Sequence, residues 1–548
     1  MQKTLAILLV LTLVAGWAGG ELAQANNSQA IQQPTLKWQQ GGCEDIWCQT
    51  GWYSSPAVAD LDGDGSMEVI GAAYSIFVLD GETGALEWKV ASGHDRSEPD
   101  ADDVGRTWPG VVVADVDNDT KLEIVTAHAG GYVSVYTAQG YFESGWPQQP
   151  TDYELRGLSV SDLDANGDLE IIVTGAVGSR TNTWVFEHNG SIRSGWPQLS
   201  NDGGYAWGVY NDNAAVGDLD GDGLGELVIP SDVHYICAYE ADGTHISANA
   251  IYEGKNWGQV GVWESLETEL RGWGDCETTR EERYRANFTH GPALIADMDG
   301  DGVTEVAAVG NMYDCFDIYT SRYFAPFIFN ADRSRFQNQF YNWSQNPLDT
   351  GAPLTEDYSI IENAQPNPVA ADLDGDGVKE LLFASYDGRL HAFWLNGEEH
   401  GNWPVSVYNP YEGFYRFASE PAVADLDNDG KAEVIFTSWT QKDSNQTGLI
   451  YILDYLGNLL YQASLPQASS GQDWNGALPA PTLADIDGDS ELEAVVNTAH
   501  SGFVAYDLPG TENARILWGT GRGNYYRNGY LPPAVVQRSY FYIPQIWK

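Results

Sequence analysis

An acidic nonapeptide recurs eight times in this chain and limits what it can fold into more than any other feature. Oxygen-bearing side chains stand at positions 1, 3 and 5, a turn residue at 6 and a glutamate at 9. The copies are Asp60, Asp62, Asp64 and Glu68; Asp115, Asp117, Asp119 and Glu123; Asp162, Asp164, Asn166 and Glu170; and Asp218, Asp220, Asp222 and Glu226. They continue with Asp297, Asp299, Asp301 and Glu305; Asp372, Asp374, Asp376 and Glu380; Asp425, Asp427, Asp429 and Glu433; and Asp485, Asp487, Asp489 and Glu493. Successive copies begin 47 to 79 residues apart, and repetition at such a period marks an array of equivalent supersecondary units. Within each copy a tight loop folds alternate side chains onto one centre, where carboxylate oxygens suit a hard cation. Oxygen-only donors on a flexible loop point to calcium rather than to zinc or strictly octahedral magnesium. About eight calcium ions per chain are expected on this chemistry.

Each copy sits in the same surroundings. In the first, Pro56–Asp60 reads as a short strand entering the loop, Val69–Ala73 as a second strand, Ser75–Asp80 as a third and Ala85–Val90 as a fourth. The eighth repeats the scheme with Pro481–Asp485, Leu492–Asn497, Gly502–Asp507 and Arg515–Trp518. Short strands separated by Gly-rich turns mean an all-β protein. One such four-stranded sheet cannot bury both its faces, but eight in series can pack face to face about an axis. The expectation is an eight-bladed β-propeller of four-stranded antiparallel blades over residues 26–535, seven-bladed if one unit is incomplete. Leu36-Lys-Trp38 is a candidate outer strand that closes the ring.

Three stretches, Ser55-Pro-Ala-Val-Ala-Asp60, Gly291-Pro-Ala-Leu-Ile-Ala-Asp297 and Glu420-Pro-Ala-Val-Ala-Asp425, each run into an acidic loop. They resemble the FG-GAP/VCBS repeats that build the propeller of integrin α subunits and of many secreted bacterial proteins. The resemblance covers residues 52–523 and implies the fold, calcium in the loops and a recognition or adhesion role, while leaving activity open. The chain departs from the pattern at Thr120 and Ser490, which replace the turn glycine, and at Asn166. Weaker metal binding is expected in those three loops. Eight repeats are also similar, at the level of fold alone, to calcium-rich rhamnogalacturonan lyases.

The formal net charge is −51, and 31 of the 78 acidic residues occupy ligand positions. Such acidity disfavours nucleic acid or an anionic membrane as a partner. Lys3, the apolar run Leu5–Ala15 and the small-residue site Ala23-Gln-Ala25 read as a secretory signal over residues 1–25. No later run approaches the roughly 20 apolar residues of a membrane helix, so the protein is expected outside the cell, secreted or at its surface. Cysteine usage suits that compartment. Cys43 with Cys48 and Cys276 with Cys315 are the expected disulfides, and Cys237 the expected buried thiol. The aromatic tail, 536–548, reads as a surface-attachment tag or as a strand docked on the ring.

Strand order places the acidic loops and short turns such as Leu395-Asn-Gly397 on one face of the ring, and the long connections on the other. Those long segments include an insertion at 251–290, Asn311–Tyr323 and Tyr341–Pro366. Long loops on a rigid scaffold are where binding concentrates, and amphipathic rings stack on sugars or anchor protein partners. Trp257, Trp263, Trp273, Tyr284 and Trp343 are accordingly the candidate ligand-binding residues. No Gly-x-Ser-x-Gly elbow, phosphate-cradling glycine loop or His-Glu-x-x-His occurs, and no catalytic residue is assigned. The sequence therefore favours a secreted calcium-binding propeller that binds an extracellular carbohydrate or protein through the face opposite its metals. Two alternatives are a polysaccharide-cleaving lyase or glycosidase on the same propeller, and a scaffold module with no ligand of its own.

Overall fold

Inner strands of the sequence Ala-Val-Ala, Val-Val-Ala, Ala-Val-Gly or Val-Ala-Ala are three residues long and almost wholly buried. Small side chains belong there because eight such strands converge on one axis. The computed structural model describes residues 30–40, 53–176, 182–198, 213–231, 235–261, 284–288, 291–314, 316–343, 348, 350–361, 367–469 and 471–533. Eight small antiparallel sheets stand in a ring, an eight-bladed β-propeller. The inner strands are Ala57–Ala59, Val112–Ala114, Leu155–Ser161, Ala215–Gly217, Leu294–Ala296, Val369–Ala371, Ala422–Asp425 and Thr482–Ala484. Each passes through its acidic loop into a second strand, beginning at or next to the closing glutamate, and then into a third. The signal segment, Cys43, Cys48, Cys276, Cys315, Trp263, Trp273 and the tail all lie outside the described residues. Cys237 is buried, as expected.

Blade faces bury against their neighbours. Val112, Val125 and Val135 of blade 2 share one core with Leu158, Ile171 and Val173 of blade 3, and blades 5, 6 and 7 share the largest. Each fully buried Val, Ile or Leu contributes about 1.5–3 kcal/mol, and the β-branched alternation of the second and third strands suits both pleat and burial.

The ring closes between its ends. Thr35–Gln40 pairs antiparallel with Phe503–Leu508 and supplies the fourth strand of blade 8, the role expected for Leu36–Trp38. Arg515–Trp518, expected in that position, instead pairs with the inner strand of blade 7, Val423 opposite Trp518. It is displaced because the outer edge of Phe503–Leu508 is already taken. The chain then threads the central channel. Amides of Leu483, Val160, Val216 and Ile295, on four inner strands, donate to the carbonyls of Gly519, Tyr526, Asn528 and Gly529 at 2.8–2.9 Å. Arg527, wholly buried, donates to the carbonyls of Val111, Ser55, Pro56 and Gly521 and to Thr520 Oγ1. The packing is close: a Cβ on Gly217 would stand 2.3 Å from the Tyr530 ring.

A second correction concerns Asn311–Tyr323, expected as a loop. It is the outer end of a long hairpin, Glu305–Asp314 with Asp317–Asn330, onto which Tyr284–Asn287 adds a further strand. The run Ile-Tyr-Thr-Ser-Arg-Tyr-Phe, rich in β-branched and aromatic residues, favours a strand there.

Candidate metal centres

The eight acidic loops share one hydrogen-bond pattern. The glutamate at position 9 starts or nearly starts the second strand and is buried. Its Oε2 accepts the amide of position 2, as in Leu61 to Glu68 (2.7 Å), Leu373 to Glu380 (2.7 Å) and Ile486 to Glu493 (2.8 Å). The amide of position 6 donates to the first aspartate, as in Gly65 to Asp60 (3.1 Å) and Gly377 to Asp372 (3.0 Å). Thr120 and Ser490 make the same bond, to Asp115 and Asp485. Their φ angles of 75° and 77° lie in the left-handed region that favours glycine, so the loop shape survives at a cost in strain.

These bonds hold the carboxylates together. In loop 1 ligand atoms of Asp60, Asp62 and Glu68 lie within 4.8 Å of one another, and equivalent clusters occur in all the loops. That spacing is about twice the 2.3–2.6 Å of a calcium–oxygen bond. The donor set fits a cation on a second count as well. Asp60 Oδ1, Asp374 Oδ1 and Glu380 Oε1 are buried and accept no hydrogen bond, a state natural proteins rarely leave uncompensated. Burial, reinforced by the neighbouring aspartates, pushes the closing glutamates up to about 7 at Glu68, about 8 at Glu123, Glu226, Glu305 and Glu433, and about 9 at Glu380. A cation among these oxygens would counteract that rise by favouring the ionised carboxylates.

The loops are also joined to each other. Position 8 of one donates to the position 2 carbonyl of the loop before it: Leu169 N to Val116 (2.9 Å), Gly225 N to Leu163 (3.2 Å), Thr304 Oγ1 to Leu219 (2.9 Å), Lys379 N to Met298 (2.8 Å) and Ala432 N to Leu373 (2.9 Å). Loops 2 to 7 thus form a hydrogen-bonded belt around one face.

An FG-GAP-like repeat family model matches residues 372–436, from the first ligand of loop 6 into the strand after loop 7. The chain is an eight-bladed β-propeller with an FG-GAP-like repeat at residues 372–436. No curated protein sequence matches it. Among solved structures it is similar to the Vibrio cholerae biofilm matrix protein Bap1 at 14% identity, covering 92% of this chain and 96% of that one with a TM-score of 0.40. It is similar to the Bacillus licheniformis rhamnogalacturonan lyase PL11 at 17% identity, 86% and 75% coverage and a TM-score of 0.46. For the exotype rhamnogalacturonan lyase YesX the values are 16%, 87%, 76% and 0.48.

The propeller places two of the candidate ligand-binding tryptophans elsewhere than expected. Trp257 and Trp343 are fully buried. Trp343 Nε1 donates to Leu395 O (3.0 Å) in the turn of the next blade, on the acidic-loop face, and Trp257 packs edge-on to Phe329 and beneath Arg333 of the next blade. Both are core because a large ring at the outer strand fills the wedge that opens between diverging blades. The same device recurs around the ring and escaped the sequence reading. Trp38, Trp88, Trp146, Trp196 and Trp403 donate to the carbonyls of Gly81, Ala138, His188, Ala241 and Tyr455 in the following blade, at 2.7–3.1 Å. A legible signal existed in Gly145-Trp-Pro147, Gly195-Trp-Pro197 and Asn402-Trp-Pro404, each two strands past an acidic loop.

The opposite face is uneven. Blades 5 and 7 extend beyond the ring, through the hairpin 305–330 and through Arg416–Ala418 paired with Glu433–Thr440. Residues 354–361 bridge them: Ser321 Oγ of the blade 5 hairpin donates to Glu356 Oε1, and Trp439 Nε1 and Lys442 N of blade 7 donate to Ile360 O. Phe316, Tyr358 and Tyr411 are 70%, 58% and 96% exposed on these extensions. On the same face the channel mouth forms a recess lined by Trp108, Arg156, Asn213, Asn367, Glu420 and Arg522.

Proposed function

We propose that this chain is an exported calcium-binding propeller that recognises an extracellular carbohydrate or protein through the face opposite its acidic loops. The acidic loops are the scaffold: oxygen-only donors, buried carboxylate oxygens and a connecting belt suit calcium as the element that stiffens the ring. The observation that carries the recognition reading is the aromatic ridge on blades 5 to 7. Three large rings exposed on the extensions of neighbouring blades, on the face that carries the polar recess, offer apolar surface to a partner. Tyr and Phe there offer stacking surface at a low entropy cost. Tyr284 stands on a strand that pairs with the same hairpin, and it remains a proposed ligand-binding residue, as do Trp263 and Trp273, which lie outside the described residues.

The test is binding of the calcium-loaded protein to a polysaccharide and glycan array, with product analysis on every hit. The reading expects retention of an intact ligand, and a loss of at least tenfold in affinity when Tyr358 and Tyr411 are both changed to alanine. Cleaved product would replace recognition by catalysis. Unchanged binding by the double variant would move the site off the ridge.

A further inference from the structure

We propose that acidic loops 3 and 8 are filled by the chain's own cations rather than by calcium, so that the ring carries six metal ions and two internal substitutes. The proposal rests on the calcium reading of the other six loops. In loop 3, Arg193 reaches back from beyond the Asn189-Gly190 turn of its own blade. Its Nη2 lies 3.0 Å from Asp164 Oδ2, at position 3, and its Nη1 lies 3.1 Å from Glu170 Oε1, at position 9. Glu187, 3.2 Å from Nη1, completes the set. In loop 8, Lys37 Nζ lies 2.5 Å from Asp487 Oδ2, again position 3, and 3.7 Å from Glu493 Oε1, again position 9. Asp507 Oδ1 lies 2.9 Å away. Two unrelated side chains, one from within the blade and one from the other end of the chain, therefore bridge the same pair of ligand positions.

Among the described residues no other loop is bridged in this way. In loops 5 and 6 the nearby lysines meet backbone carbonyls, Lys379 that of Asp297 and Lys431 that of Asp374. In loop 2 Lys121 meets only Asp119, and in loop 7 Arg515 stands 3.5 Å from Asp425 alone. A calcium ion bound to both position 3 and position 9 would sit 2.3–2.6 Å from each oxygen. It would then lie within a few ångströms of the guanidinium or ammonium touching those same oxygens, where like charges repel strongly in a poorly solvated site. Each internal cation brings positive charge beside a buried glutamate whose Oε1 accepts no hydrogen bond, the place where the metal would otherwise sit.

The local sequence agrees. Loop 3 is the copy that carries an amide, Asn166, in place of a carboxylate, and loop 8 carries Ser490 in place of the turn glycine. Lys37 has a topological role too. It stands on Thr35–Gln40, the strand that closes the ring, so the clasp between the two ends of the propeller is an ion pair that needs no metal.

Elemental analysis of the purified calcium-loaded protein tests this. The expected count is six ions per chain, rising to seven in Arg193→Met and in Lys37→Met and to eight in the double variant. A wild-type count of eight, or variants that keep the wild-type count, overturns the proposal while leaving the calcium reading intact. Two or fewer ions in the wild type overturns both. Arg193 lies away from the ring closure, so its variant reads the count even if Lys37→Met fails to fold.

Discussion

On the face of the acidic loops every blade does the same thing. A first aspartate caps its turn and a buried glutamate closes it, and from loop 2 to loop 7 each loop is bonded to its neighbour. On the other face the described segments differ from blade to blade: one carries a 14-residue strand and another a bridging segment. The difference teaches where constraint lies. Eight copies of one electrostatic problem, several carboxylates held within 4.8 Å, admit one solution and repeat it. Recognition faces no such common problem, so each connection is free to differ while the strands beneath stay the same.

Metal removal should separate the faces most strongly. With calcium at a hundred times its Kd each site stabilises the folded state by about 2.7 kcal/mol, so several sites together rival the 5–15 kcal/mol stability of a typical domain. Chelation is expected to lower the melting temperature steeply. A melt unchanged by EDTA would remove the metal from the account.

Next come the tryptophans between blades. Trp343→Ala or Trp403→Ala leaves a cavity and an unpaired carbonyl in the adjoining turn, and should cost about 3–5 kcal/mol without altering ligand binding. If Trp343→Ala melts normally but binds poorly, the residue belongs to recognition after all.

Smaller effects belong to the ridge. Tyr411, 96% exposed, should cost less than about 0.5 kcal/mol of stability as alanine, while the array signal falls. A large drop in melting temperature would make it a packing residue.

The smallest effect is a pH dependence inside blade 6. His391 is fully buried, which pulls its pKa down, but Asp387 at 3.3 Å and Glu399 at 3.0 Å hold its imidazolium, and the balance lies above the ordinary value. A raised folded pKa means the stabilisation is complete below the unfolded value of about 6.5 and is lost as pH rises through the folded value. The deficit of His391→Gln in thermal melts should therefore be larger at pH 6 than at pH 9. Equal deficits would show that the histidine stays neutral throughout.

Much of the metal face was legible in the sequence because the signal is local: nine residues determine the loop, and the same nine report it. Even Thr120 and Ser490 keep the left-handed turn. What escaped depends on residues far apart in the chain. Nothing near Gly519–Leu531 announces that it fills the channel, because its partners lie on inner strands hundreds of residues earlier. Lys37 and Asp487 are 450 residues apart, and Arg193 differs from any surface arginine only through the fold. Trp257 and Trp343 misled because an aromatic ring near a long connection looks the same whether it faces a ligand or the next blade.

The most direct test is amide hydrogen exchange with calcium and again with EDTA, read at the position 6 amides that bond the first aspartate of each loop. The account predicts that Gly65, Thr120, Gly223, Gly302, Gly377 and Gly430 lose protection on chelation. Gly167 and Ser490, whose loops are held by Arg193 and Lys37, should keep theirs, as should Asn311–Asp314 at the outer end of the blade 5 hairpin on the opposite face. Protection unchanged in all eight loops, or lost equally from both faces, would contradict it.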